Sequence, residues 1–441
     1  MNNLRRLPLA AVLAATLILM AVLSTLIGGT NPSQISSGLL VASDAESTAL
    51  YCSGLTSSSV TFFNTTSTSH NVSVSWTTDT GSSGSSTTNL ASHDTWNIAQ
   101  FGKGSVFAVA AQIHGGGVVG SVAGANGLQG TCNSAGVTSW FGAGFDTTVG
   151  STGDLSIYNP TATAAVFNVS TFTNSGFSAP AAFQGLSVNA HQLVVLNLGT
   201  QLVNLTNIGV HVKVLRGSLE IVGIQHSGNS VSYYPGENQL SQQNWFPLVT
   251  TSNGAKAQLR YANPGSNTIS VTVNVSLPPF SVQPQTLTVL PYSSGEITIT
   301  PNTAIPANGY AFVSSSSSAP LLTALVLGTT KGLNLFAPQV PTSSILLADF
   351  SGSRLDTAEV TNTSKHDVTV NVTSLPSSAQ GAYGSSPAFK IHLKAGASTK
   401  VNLTNIASGE LMSTTKNVLL VTVALQTVPA GINLLSALNA R

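Results

Sequence analysis

One pattern recurs four times along this chain of 441 residues, and it constrains the fold more than any other feature. Each copy holds a run of alternating apolar and polar residues, an Asn followed by Pro or Thr, and a second alternating run. The first copy reads Val60-Thr61-Phe62-Phe63-Asn64-Thr65 and then Val72-Ser73-Val74-Ser75-Trp76. The second has Leu155-Ser156-Ile157-Tyr158-Asn159-Pro160 followed by Ala165-Val166-Phe167-Asn168-Val169. In the third the same place holds Leu259-Arg260-Tyr261-Ala262-Asn263-Pro264, in the fourth Ala358-Glu359-Val360-Thr361-Asn362-Thr363. The four Asn fall about 95–105 residues apart, a domain-sized interval for a small sandwich.

The remainder of each copy corresponds too. A strand–turn–strand pattern follows at 90–98, 186–198, 287–299 and 391–403, and paired apolar runs close the copies at 106–119, 210–224, 310–327 and 418–428. Period-2 alternation rich in Val, Ile, Thr and Phe fits strands with one buried and one wet face. Pro after the Asn biases that Asn away from helix, and its side chain can bond the nearby backbone, so the motif reads as a turn. No sustained helical periodicity follows residue 28. About seven strands per copy then predict two packed antiparallel sheets. The expected fold is all-β: a tandem array of about four immunoglobulin-like β-sandwich repeats at 47–136, 137–240, 241–342 and 343–441. Each copy is long enough to own a core, which predicts beads on a string.

The array is expected to follow one N-terminal transmembrane or signal helix. Residues 7–27 form an uninterrupted apolar run, which as a helix spans roughly 31 Å, the thickness of a bilayer core. Arg5 and Arg6 precede it and the next Lys or Arg is Lys103, so the positive-inside bias leaves the N-terminus in the cytoplasm. A cleaved leader has the same polarity but usually a shorter apolar stretch, and Ala42-Ser43-Asp44-Ala45 is a poor cleavage site. Residues 1–28 read as a signal anchor or signal peptide and 29–46 as a linker. The expected location is the cell membrane, single-pass with an extracytoplasmic C-terminal part, or secretion if the leader is cut.

Export makes the cysteines interpretable. Cys52 and Cys132 are the only two, and an even pair in an oxidising compartment predicts one disulfide. Closing that loop is worth roughly 4–4.5 kcal/mol in the chain-entropy model.

Only 7 % of residues are charged and the net charge is +1. Clustered Lys and Arg are missing, which argues against nucleic acid as a partner. With few carboxylates to protonate, stability is expected to change little in acid.

The opening Tyr51-Cys52-Ser53-Gly54, with Trp140-Phe141 and Trp245-Phe246-Pro247 opening later copies, resembles a family of exported actinobacterial proteins of unknown function. Those proteins share an N-terminal membrane segment, a Trp-Tyr-Cys-Pro opening and repeated strand–Asn-Pro–strand units. This chain departs from the opening, with Leu50 in the Trp position and Ser53 in the Pro position. The resemblance implies export and architecture, and brings no activity, cofactor or catalytic residue.

Candidate sites are few. Fourteen acidic residues are scattered, so no carboxylate pair of glycosidase type is indicated. G-x-S-x-G, H-E-x-x-H and EF-hand loops are absent. Gly115-Gly116-Gly117-Val118-Val119-Gly120 matches G-x-G-x-x-G, yet no helix former or acidic residue follows where a dinucleotide site needs them, so it reads as a glycine-rich hairpin. His114 and His226 hold comparable places in two copies and read as solvated loop residues. Lys390, Lys394, Lys400 and Lys416 read as ordinary solvent-facing lysines. Eight N-x-S/T sequons, Asn64 and Asn362 among them, are about what random placement gives. Trp76, Trp96, Trp140 and Trp245 read as core or inter-domain residues, with sugar stacking as the alternative.

The sequence thus predicts a non-enzymatic extracytoplasmic cell-envelope protein, a structural or adhesive rod, with no cofactor, no metal and no catalytic residue. Its expected partners are the membrane, through the N-terminal helix, and cell-wall polysaccharide or other envelope proteins. The alternative is a polysaccharide- or peptidoglycan-binding module using exposed aromatic residues, and a cryptic hydrolase stands third.

Overall fold

Strand Ala165–Thr173 shows how the alternation is used: Ala165, Phe167 and Val169 are buried while Val166, Asn168 and Ser170 are partly exposed. The computed structural model describes residues 48–439 apart from 65, 93, 124–128, 250–255, 278–279, 282, 300–310, 330–331, 340, 342–343, 349–354, 376–388, 403–408, 415–418, 426–432 and 437. The leader and linker expected over 1–46, and Lys416, lie outside the described residues.

The described chain is all-β, built of antiparallel sheets, with two single-turn 3-10 segments and no α-helix among the described residues. In the second copy one sheet joins Gly176–Ser178 and Leu186–Val188, counted together as one edge strand, then Ala165–Thr173, Ile208–Arg216 and Ser139–Phe145, in that order. The other joins Leu193–Asn197, Ser151–Tyr158, Glu220–Ser227 and Ser230–Tyr234. Numbered along the copy, the orders are 4-3-6-1 and 5-2-7-8. Leu155 and Ile157 of one sheet share a core with Phe167, Val169, Val210 and Val212 of the other.

The same two orders return in the other three copies. In the first they are Ser83–Leu90, His70–Thr78, Val106–Ile113, Thr48–Leu55 and Thr95–Ile98, Ser59–Asn64, Val118–Ala123, Gln129–Thr131. Constant-type immunoglobulin sheets run 1-2-5-4 and 7-6-3. The pairs 2–5 and 3–6 are common to both arrangements, but here strand 1 adds to strand 6 and strand 7 adds to strand 2.

That difference follows from the link between strands 6 and 7. In the first copy Gly115 and Gly117, at φ of 90° and 93°, carry the chain from one sheet to the other. The expected hairpin is therefore an arch, since Val106–Ile113 and Val118–Ala123 belong to different sheets. The third copy omits the link. Its strand Ala311–Thr329 pairs with Ile269–Leu277 through residues 312–317 and with Lys256–Ala262 through residues 322–328. Exposed Pro320, which has no N–H to give a ladder, lies between those two paired segments.

The recurring Asn closes each copy. Asn64, Asn159, Asn263 and Asn362 are all 0–1 % exposed. Asn159 Oδ1 accepts from the Thr161 N–H at 3.0 Å and hydroxyl at 2.7 Å, the local turn expected from sequence. Its Nδ2 does more, donating to the carbonyls of Thr163 at 2.7 Å, Val188 at 3.0 Å and Asn189 at 3.2 Å. Asn64 repeats this on Thr66, Thr68, Leu90 and Ala91, and Asn362 on Ser364, His366, Leu393 and Lys394. Asn263 reaches Gly265, Asn267 and Leu290. One carboxamide thus ties the turn after strand 2 to the segment entering strand 5, about 30 residues away. Because the amides of Asn64 and Asn362 are so engaged, neither sequon is open to glycosylation in the folded chain.

Asn159→Ala strands several buried groups at about 1–3 kcal/mol each, so a loss on the order of 3 kcal/mol is expected in urea unfolding. Asn159→Asp turns an acceptor toward three carbonyls, and its midpoint should fall below that of the Ala variant.

Candidate functional site

The disulfide Cys52–Cys132 is present, and it joins strand Thr48–Leu55 of one sheet to the residue after Gln129–Thr131 of the other. The other residues singled out from sequence do not gather. Exposed His114 offers its carbonyl to His70 Nδ1 at 2.9 Å, whereas His226 Nε2 lies 4.0 Å from Asp154. Trp140 is buried, Trp96 packs on Phe62, Trp76 meets Phe101 edge-on, and Trp245 is partly buried. Exposed Lys394 pairs with Asp367 at 2.7 Å. Among the described residues no group of three or more His, Cys, Asp or Glu could hold a metal ion.

What does gather lies between copies, where sequence reading expected separate cores, like beads on a string. At the first two junctions the second sheet of the later copy packs chiefly on the first sheet and the last strand of the earlier one. Between copies one and two, Val106 and Ala108 share a buried cluster with Tyr158, Leu193 and Ile224. Between copies two and three the core of copy two simply continues into Ala262, Leu322, Ala324, Val326 and Leu335. Gly209 permits this approach, since a Cβ there would stand 2.6 Å from Ala262 Cβ.

Ionisable groups are enclosed at both joints. At the first, Glu220 is 1 % exposed and receives Asn133 Nδ2 at 2.9 and 3.1 Å on its two oxygens. Burial pushes its pKa up to about 8, and the Asn133 bond opposes that rise. Tyr158, beside it in register, is pushed up to about 12 by burial and by nearby Tyr51. The Tyr233 hydroxyl accepts the Leu55 N–H at 3.0 Å and lies 3.0 Å from Ser58 Oγ.

At the second joint Arg260, 4 % exposed, projects from copy three into copy two. Its Nη1 donates to the Gly144 carbonyl at 2.9 Å, Nη2 lies 3.8 Å from buried Asp146, and Nε lies 3.6 Å from Glu296. Burial lowers its pKa, and Asp146 and Glu296 oppose that shift. Tyr234 OH donates to the Thr323 carbonyl at 3.0 Å and the Leu335 N–H to Ser232 Oγ at 2.9 Å, both buried. Within copy two, Glu237 near Tyr234 is pushed up to about 8 by burial alone. This arrangement positions one sandwich on the next.

Residues 87–227 match the model of a family of unknown function, DUF5719. The match begins in the fourth strand of copy one and ends with the seventh strand of copy two, so it crosses the first joint. Comparison of the chain with curated proteins finds no match.

The raised carboxyls give the pH response a sign. Folding lifts Glu220 from 4.5 to about 8, so the folded state holds its proton more tightly. That contribution is fully present below pH 4.5 and fades as pH climbs through 8. Urea stability should be greater at pH 5.5 than at pH 8.5, and Glu220→Gln should shrink the difference. Arg260→Met leaves Asp146 buried without its cation, and the expected loss in the same assay at pH 7 is on the order of 3 kcal/mol.

Proposed function

We propose that the chain is a non-enzymatic extracytoplasmic protein of the cell envelope, a structural or adhesive rod of β-sandwich repeats. In this reading residues 1–28 are a signal anchor or leader and 29–46 a linker. Four immunoglobulin-like copies, 47–136, 137–240, 241–342 and 343–441, then stand outside the membrane. One observation carries it: the first three copies share buried apolar clusters and enclosed ionisable groups at their two joints, so displacement of one is passed to the next rather than lost in a hinge. A flexible tether needs no such joints. The disulfide fits an oxidising compartment, and the resemblance to exported actinobacterial proteins points the same way.

The reading is tested on intact cells carrying a C-terminal tag. External protease should remove the tag, and deletion of residues 1–28 should keep it inside with free thiols. A tag protected in intact cells, or a hydrolytic or transferase activity in the purified outer part, overturns the proposal.

A second reading, polysaccharide or peptidoglycan binding through exposed aromatics, has one observation in its favour. Trp140 is buried and the other three Trp are half-buried, whereas Phe177 and Tyr292 are 53 % and 41 % exposed, with ring centroids 6.0 Å apart across the second joint. Tyr292 holds this place at φ 55°, a backbone conformation that disfavours a bulky side chain. In sedimentation with cell-wall fractions, Phe177→Ala/Tyr292→Ala should lose binding under this reading. Equal sedimentation of wild type and variant removes it.

A further inference from the structure

We propose that the Cys52–Cys132 disulfide is the latch of the first joint: closing it sets Asn133 against Glu220 and fixes copy two on copy one. This goes beyond the envelope reading and does not depend on what the array attaches to.

The two cysteines are adjacent in sequence to the residues that make the joint. Tyr51 precedes Cys52 and Asn133 follows Cys132, and this flanking pair exchanges both backbone hydrogen bonds, at 2.7 and 2.8 Å. The Asn133 side chain then reaches Glu220 of copy two. Four residues further on, Val137 exchanges both backbone bonds with Leu219, at 2.7 and 3.0 Å. The connector between copies is therefore fastened to copy one by the disulfide and to copy two beside Glu220.

Little else holds the first fastening. Cys132 is delivered by a three-residue strand, Gln129–Thr131, which among the described residues pairs with Val118–Ala123 alone. One backbone bond, Cys132 N to the Gly120 carbonyl at 3.0 Å, continues that ladder. Short edge strands of this kind are marginal by themselves. Without the disulfide the Tyr51–Asn133 pair has no covalent support, and freeing it takes the carboxamide away from a buried carboxyl. An unpaired buried acid is costly, so the joint opens.

Closure balances as thiol–disulfide exchange. The thiolate of one Cys attacks an oxidant carrying a disulfide, and the second Cys displaces the resulting mixed disulfide. The protein loses two electrons and two protons, and the oxidant leaves as two thiols. The joint is thus set when the chain meets an oxidising compartment.

Hydrogen exchange on the full chain tests this, comparing the oxidised protein with the dithiothreitol-reduced protein and with Cys52→Ser/Cys132→Ser. The amides of Asn133, Val137 and Leu219 should exchange at least tenfold faster without the disulfide. Strands Ser59–Asn64 and His70–Thr78 should keep their protection. Asn133→Ala with the disulfide intact should free Val137 and Leu219 in the same way. Unchanged exchange at the joint on reduction, or an Asn133→Ala variant with a fully protected joint, overturns the latch. So does an equal rise throughout copy one, because the disulfide would then only hold that sandwich together.

Discussion

One buried carboxamide ties two turns together at the same corner of each sandwich. Two sheets meeting face to face leave backbone groups at the corners where strands leave one layer and enter the other, and those groups need partners that do not depend on water. Asn supplies an acceptor and two donors from one short side chain without a charge to desolvate. Placed after strand 2, it satisfies the local turn and the distant approach to strand 5 together. That the corner residue is neutral fits a chain in which 7 % of residues are charged. The fold relies on amides and hydroxyls where other proteins use ion pairs.

Among the described residues the buried ionisable side chains stand where copies meet. Glu220, Asp146 and Arg260 are each 1–4 % exposed, and a charge enclosed there disfavours alternative dockings in which it would lose its partner. Apolar contact supplies the attraction between successive sandwiches, and the polar pairs select the register. Hydrophobic surface alone would let one sheet slide on another.

How much of this could be read beforehand depends on the length scale. Alternation in Ala165–Thr173 and the recurrence of Asn64, Asn159, Asn263 and Asn362 expose the strands and their order, because a residue's face is decided by its immediate neighbours. The disulfide follows from two cysteines and the expectation of export. The joints do not, since Arg260 and Glu220 occupy outward positions that look solvent-facing within their own strands. Whether an outward face is wet depends on a residue a hundred positions away. One clue was present: Val106–Ile113 and 321–327 are apolar on both faces, breaking the alternation, as strands covered on both sides do. The sheet switch of Ala311–Thr329 was hidden because one continuous strand makes it, past a run of five serines and Pro320, with no glycine link to mark the change.

The position of the covalent cross-link has a mechanical meaning. It connects the first strand of copy one to the residue after its last short strand, 80 positions apart. Tension applied to the two ends of the chain enters at Cys52 and leaves at Cys132 without passing through the polypeptide between them. The first sandwich is therefore shielded from load, and a pull sufficient to unravel its strands falls instead on the sandwiches beyond it.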